Sequence, residues 1–268
     1  MFQDVASKNN TRLKFARKVR SGKIDEFVFA EGMRLVEELL RSQAELPKAY
    51  VSETFSQKHR DLVDRLLSQN IDVFRLSDKV FESIADTRST QGVVLICKKP
   101  KTGAEIVAEK LIGRSSLVPL VVYLHRINNP SNLGAIFRTA EAAGISGIIV
   151  SEHSANVFSP KALRGSMGAC MRIPVWENAD FNDVLNWSRR MGLISTCADI
   201  NSKTSYLDID WKKGRLMIFG SEADGLTQEE FSRIEENLRI PMENGVESLN
   251  LAVSSALVMY EFKRRNDQ

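Results

Sequence analysis

Three short stretches of this chain hold residues whose types and spacing can do chemistry. The first, "NNPSNLGAIFRTAEAAG" (128–144), carries Asn129, Pro130, Ser131, Asn132, Gly134 and Arg138. Asn-Pro favours a turn, and Ser131 or Asn132 can cap the helix that follows. A helix start with one arginine makes a phosphate anchor. Arg138 is the only Lys or Arg between Arg126 and Lys161. The plainer alternative is turn and cap chemistry, with Arg138 a surface cation. The second stretch, "IFGSEADGL" (218–226), brackets Glu222 and Asp224 with Gly220 and Gly225. A glycine at a strand end lets a ligand approach the backbone closely. The two carboxylates suit a cation, a ribose hydroxyl or an ion pair rather than an anion; an ordinary acidic turn is the alternative. The third, "IPMENGVESLN" (240–250), ends on Ser248, which reads as an N-cap, and Asn250. Asn250 is polar inside "SLNLAVSSALVMYE" and must point away from the apolar face, toward a site.

These loops need elements to hold them. "LVPLVVYL" is apolar on both faces, as a buried parallel strand is. "SNLGAIFRTAEAAG" places Leu133, Ile136, Phe137 and Ala140 at helical spacing, with Gly144 as the stop. "GIIVS", "GLISTCA" and "GRLMIFG" read as strands; "FNDVLNWSRRM" and "TQEEFSRIEEN" read as helices. A last apolar helix runs from Ser248 to about Arg265. Leu249, Ala252, Val253, Ala256 and Tyr260 share one of its faces, broadened by Leu257 and Met259, which suits a core or a subunit interface. An α/β domain of parallel strands binds ligand beyond the carboxyl ends of its strands. That rule points to loops 125–134, 219–226 and 241–250.

Ahead of this domain lies a smaller α/β unit. "EFVFA", "KAYVS", "DVFRLS" and "GVVLICK" read as strands. "EGMRLVEELLRSQ", "QKHRDLVDRLLSQN" and "DKVFESIAD" read as helices. The expected organisation is an N-terminal domain over 1–98 with a basic leading segment, a linker over 99–115, and a catalytic domain over 116–268. The leading segment carries Lys8, Arg12, Lys14, Arg17, Lys18, Arg20 and Lys23, with no acid between Asp4 and Asp25. Such a block can neutralise nucleic-acid phosphates, or be a solvated helix face or a loose arm. Cys97, Cys170 and Cys197 form no CxxC and no metal-ligand spacing, so no metal is expected and a reduced, cytoplasmic setting fits. No apolar leader and no membrane-length apolar run is visible. The absence of GxGxxG after any strand counts against a dinucleotide-dependent enzyme.

Taken together and in order, "NPSNLGAIFRTAEAAG", "IFGSEADGL" and "IPMENGVESLNLAVSSALVMYE" resemble the three signature motifs of the SpoU-type RNA 2′-O-ribose methyltransferases of the SPOUT superfamily. The resemblance covers the chain from about Leu117 to the end. "FVFAEGMRLVEELL" is similar to the start of the substrate-binding domain of the rRNA-modifying members, which resembles small ribosomal RNA-binding proteins. One departure is Asn129-Pro130, where many members have Asp-Pro; it sits in the turn.

The resemblance implies an α/β fold whose C-terminal segment is tied in a deep trefoil knot, S-adenosylmethionine as cofactor, and a homodimer through the C-terminal domain. It implies an adenosine pocket lined by backbone near Gly220, Ile240 and Leu249, with a wall from the strand end "STCA" (195–198), which holds Thr196 and Cys197. It assigns Arg138 to the chemistry and Asn132 to orienting Arg138 and the ribose. Glu222 would fix Arg138 or the loop, and Ser248 and Asn250 would shape the substrate side. Lys8, Arg12, Lys14, Arg17, Lys18 and Arg20, with Arg138, would meet RNA. The expected substrate is large-subunit rRNA. A tRNA substrate, or a non-catalytic RNA-binding or ribosome-assembly protein on the same fold, are the alternatives.

Overall fold

The computed structural model describes residues 3–42, 44–113, 117–221 and 225–267. It divides into two compact units, Met1–Pro100 with Phe158–Arg172, and Lys101–Val157 with Ile173–Gln268.

The first unit contains β1 (Gln3–Val5), α1 (Thr11–Arg20), β2 (Phe27–Glu31), α2 (Met33–Leu40), β3 (Lys48–Ser52), α3 (Glu53–Lys58), α4 (Arg60–Ser68), β4 (Asp72–Leu76), α5 (Asp78–Phe81) and β5 (Val93–Lys98). The strands form one sheet in the order β1-β4-β3-β5-β2. β3 runs parallel to β4 and antiparallel to β5, because β5 and β2 enter as an antiparallel edge pair. The four expected strands are β2 to β5. The leading basic stretch is not a loose arm. It forms α1, whose Leu13, Ala16 and Val19 pack into a core with Phe29, Tyr50 and Phe74. The helix expected over "QKHRDLVDRLLSQN" is broken at His59 (φ −122°, ψ 52°), which separates α3 from α4.

The second unit begins with α6 (Ala104–Ile112), whose Val107 and Leu111 join its core. The linker expected over 99–115 thus holds a short helix, and that helix's apolar positions explain why it packs into this core. There follow β6 (Leu120–Leu124), α7 (Pro130–Ala143) and β7 (Gly147–Ser151). The chain then forms α8 (Pro160–Ser166), which groups with the first unit, and returns to β8 (Val175–Ala179). α9 (Phe181–Arg190), β9 (Ile194–Ala198), β10 (Arg215–Phe219), α10 (Gln228–Ser232), β11 (Glu236–Leu238) and α11 (Leu251–Asn266) complete it. All six strands are parallel, in the order β11-β9-β10-β6-β7-β8. The carboxyl ends of β6 and β10 are therefore neighbours in the middle of the sheet.

α7 forms as its sequence pattern predicts. Leu133, Ile136, Phe137 and Ala140 are buried, each of the larger three stabilising by roughly 1.5–3 kcal/mol. Gly144 closes the helix at φ 74°, the left-handed C-cap that glycine favours. One expectation fails. "TQEEFSRIEEN" is helical only over Gln228–Ser232; its end becomes β11, where Leu238 is fully buried beside β9. The apolar face of the last helix, expected at a core or a subunit interface, is largely turned outward. Ser255, Val258, Met259 and Phe262 are buried, while Val253 and Tyr260 are each 49% exposed and Leu257 is 37% exposed.

Candidate active site

α7 starts on Asn129, not on Ser131 or Asn132. The Asn129 side chain accepts from the Ser131 N–H at 2.9 Å, and Pro130 takes the first helical position, where its missing N–H costs nothing. Asn132 is therefore not the N-cap of α7. Arg138 lies further along the same helix and is exposed. No hydrogen bond or ion pair engages its guanidinium among the described residues.

Past β10 the chain folds tightly on itself. Gly225, at φ 63°, donates its N–H to the Ser221 carbonyl at 3.0 Å. A Cβ on Gly220 would stand 2.8 Å from the Gly225 carbonyl carbon. The backbone, not only a ligand, demands glycine there. This turn, the end of β9 at Ala198–Ile200, Phe231, and the start of α11 enclose a cleft of about 700 Å³. Gly220, Ser248, Leu249 and Asn250 all line it, beside apolar Ile200, Leu226 and Phe231. A cleft of this size, walled by apolar Ile200, Leu226 and Phe231 and by polar Asp199, Ser248 and Asn250, suits an adenosine-containing cofactor.

Asn250 joins the two sides of the site. It is the N-cap of α11: its Oδ1 accepts from the N–H groups of Ala252 at 2.9 Å and Val253 at 3.4 Å. Its Nδ2 donates to Asn132 Oδ1 at 3.4 Å. Ser248, read above as a cap, lies two residues outside the helix in the cleft wall. The structure thus brings Asn132, Asn250, Ser248, Leu249 and Gly220 to one place, at the carboxyl ends of parallel strands, as the general rule for such sheets requires.

Other expected site residues fall elsewhere. Thr196 and Cys197 lie in the body of β9 and are buried. Thr196 Oγ1 accepts from the fully buried Arg215, which also pairs with Glu236 at 2.6 Å and so ties β9, β10 and β11 together. Burial pushes the Cys197 thiol up to about 12. The wall of the cleft begins one residue later, at Ala198. Ile240 is half-buried just past β11 and does not line the cleft. Glu222 lies outside the described residues. Among the leading cations, Lys8, Arg12, Lys14 and Lys18 are exposed, with Arg12 over the Phe74 ring at 4.8 Å. Arg17 and Arg20 are used internally. Arg17 donates to the Lys8 carbonyl at 2.8 Å, and Arg20 donates to the carbonyls of Ile84 and Ala85.

One polar cluster escaped the sequence reading. His125, buried at the end of β6, places Nε2 3.0 Å from Glu230 Oε1 and Nδ1 3.1 Å from the Tyr123 hydroxyl. The same Glu230 oxygen accepts from Arg126 at 2.8 Å. Burial lowers the His125 pKa, an effect only partly offset by the Glu230 charge. A carboxylate can only accept, so the neutral ring carries its proton on Nε2 and accepts from Tyr123 on Nδ1. Burial tends to raise the Glu230 pKa, but hydrogen bonds from Thr227 and the nearby charges of His125 and Arg126 outweigh it and hold the carboxyl low. The cluster joins residues more than a hundred positions apart, and no local pattern announces it.

The profile of the SpoU rRNA methylase family matches residues 119–260. A second profile, for RNA 2′-O ribose methyltransferase substrate binding, matches 29–103. An uncharacterized tRNA/rRNA methyltransferase of Synechocystis is 26% identical over 98% of this chain and 95% of its own length. The 23S rRNA (guanosine(2553)-2′-O)-methyltransferase of Bacillus subtilis is 25% identical over 97% of this chain and 99% of its own. The crystal structure of an AdoMet-bound rRNA methyltransferase from Sinorhizobium meliloti superposes with a TM-score of 0.82 at 25% identity, covering 98% of both chains. The match spans the whole second sheet with its three loops and the smaller sheet before it: this chain belongs to the SpoU rRNA methylase family and carries that family's RNA-substrate-binding domain.

Proposed function

We propose that this protein methylates one ribose 2′-hydroxyl of large-subunit rRNA, with S-adenosylmethionine as donor. The family supplies the class of enzyme and its cofactor, and the rRNA-acting relatives support the substrate. The observation that carries the reading is the Asn132–Asn250 contact. It sets the start of α7, the helix that bears Arg138, against the wall of the cleft formed by Gly220 and Leu249. The cofactor, when bound, supplies a methyl group on a sulfonium. The chain's own residues hold the ribose and manage charge. A guanidinium with a pKa above about 12 does not accept the hydroxyl proton. Arg138 instead holds the neighbouring phosphate and stabilises the alkoxide character that develops on the 2′-oxygen, a contribution of about 3 kcal/mol. The proton leaves to phosphate or water. Asn132, fixed by Asn250, orients the ribose.

The finer features follow the same reading. Val253, Leu257 and Tyr260, with Ala135 and Thr139 of α7, frame an apolar concavity of about 740 Å³, a surface suited to a second copy and to a homodimer through this unit. Threading of the chain end as a trefoil knot would set the start of α11 across the cleft from the ends of β9 and β10. Lys8, Arg12, Lys14 and Lys18, exposed on or beside α1, would meet RNA phosphates. No helix among the described residues is long and apolar enough to cross a membrane. The three cysteines are buried thiols, which suits a reduced, cytoplasmic setting. The test is a map of 2′-O-methyl sites in total RNA from a deletion strain and its parent. Loss of one site in 23S rRNA is expected. Loss confined to tRNA, or no loss, would refute the substrate assignment.

A further inference from the structure

Two successive residues of α10 serve different sides of the site. Phe231, with Leu226, lines the cofactor cleft. Glu230, one residue earlier, grips the loop after β6 through Oε1, which accepts from His125 Nε2 and Arg126. Its Oε2 accepts from the Thr227 N–H at 2.8 Å, closing the capping box that starts α10. The gripped loop is under constraint. Arg126 sits at φ 56°, a left-handed conformation uncommon for a residue with a side chain. Its N–H donates to Ser151 Oγ at 2.7 Å, and the Ile127 N–H donates to Ser154 Oγ at 3.1 Å. Six residues after Arg126 the same segment presents Asn132, and Arg138 lies beyond it. α10 itself has five residues, none of them fully buried, and holds to the core of this unit through Phe231. So short an element is the part of a site that shifts at least cost.

We infer that Glu230 is a positioning residue that couples the two ligands: occupancy of the cleft bears on α10 through Leu226 and Phe231, and Glu230 passes it to the loop that sets Asn132 and Arg138 for RNA. The inference rests on the reading of the cleft as the cofactor site and of the start of α7 as the RNA side. Such a coupling is reciprocal: whatever cofactor binding adds to RNA affinity, RNA adds to cofactor affinity.

The test measures binding, not turnover. Full-length protein is titrated with deproteinised 23S rRNA from a deletion strain, with and without saturating S-adenosylhomocysteine, and the affinity for S-adenosylhomocysteine alone is measured by calorimetry. In the parent the cofactor product should tighten RNA binding by about tenfold, within the usual range for coupled sites. In Glu230→Gln the coupling should fall below about twofold while the affinity for S-adenosylhomocysteine alone stays near the parent value. Arg126→Met, which leaves the α10 capping box intact, should lose the coupling in the same way and decides the matter should Glu230→Gln not fold. Glu229→Gln, on the same short helix, should keep it. Parent-like coupling in both Glu230→Gln and Arg126→Met overturns the inference, as does a parent that binds both ligands independently. A parent that binds neither ligand overturns the functional reading itself, and this inference with it.

Discussion

Asn250 carries two duties that can be separated by substitution. Its Oδ1 caps α11 by accepting from Ala252 and Val253, and its Nδ2 reaches Asn132 at 3.4 Å. Asn250→Ser keeps a good cap, since serine ranks with asparagine at that position, but is too short to reach Asn132. Asn250→Ala loses both. Loss of an N-cap costs about 1 kcal/mol, which in a chain of this size lowers the melting temperature by roughly 2–4 °C. The Asn132 contact is a long hydrogen bond, so its contribution belongs at the low end of the usual range, about 0.5–1 kcal/mol. Expressed wholly in kcat/KM, that is a loss of about two- to fivefold at 1.36 kcal/mol per decade. Asn250→Ser should therefore melt with the parent yet turn over about two- to fivefold more slowly, and Asn250→Ala should show both losses. The assays are differential scanning calorimetry and transfer of a radiolabelled methyl group to rRNA from a deletion strain. Full activity in Asn250→Ser would remove the contact from the mechanism. A melting loss in Asn250→Ser equal to that of Asn250→Ala would remove the cap from the account of stability.

Arg138→Ala should lose about a hundredfold or more in kcat, the typical cost of removing one charge-stabilising donor, while calorimetry shows S-adenosylmethionine bound as in the parent. Equal turnover would take Arg138 out of the chemistry. Leu257→Asp sets a charge in the exposed apolar face of α11; light scattering should show the parent as a dimer and the variant as a monomer, and a monomeric parent refutes the dimer. The pH dependence follows from His125. Its folded pKa is lowered from 6.5, so the unfolded chain takes up the proton first and stability falls as pH drops below about 6.5. His125→Gln should flatten that part of the melting-temperature curve; an unchanged slope would show that the buried imidazole is not its source.

Much of the fold was legible because apolar periodicity reports burial. β2 to β5, β6, β7, β9 and β10 fall on their apolar runs, and α7 follows its four core residues and Gly144. Elements whose burial comes from elsewhere did not show. β11 is three residues with one apolar side chain, and its identity comes from pairing with β9. α1 hides Leu13, Ala16 and Val19 at intervals of three beneath a dense set of cations, and the charge dominated the reading. The outer face of α11 left two readings open for a different reason. Periodicity identifies an apolar face without saying what covers it, and Val253, Leu257 and Tyr260 are left for something other than this chain's core.

The candidate site divides along the same line. Gly220, Ser248, Leu249, Asn132 and Asn250 were marked by turn and cap residues, whose chemistry is local and therefore visible in sequence. The wall expected over Ser195–Ala198 meets the cleft at its last residue, because a strand end seen in sequence has an uncertainty of a residue or more, and a single position decides whether a side chain lies within the sheet or at the cleft. Glu230 had no local signal at all. It looks like one more acid of a capping box, and that duty is real. Only the parallel pairing of β6 with β10 brings the loop that follows each strand to the same edge, where the residue that starts α10 also holds the loop that starts α7. A residue with both a local duty and a long-range one is read from sequence by the first alone. That explains why the two loops looked like separate motifs, and why the group joining them became visible only in three dimensions.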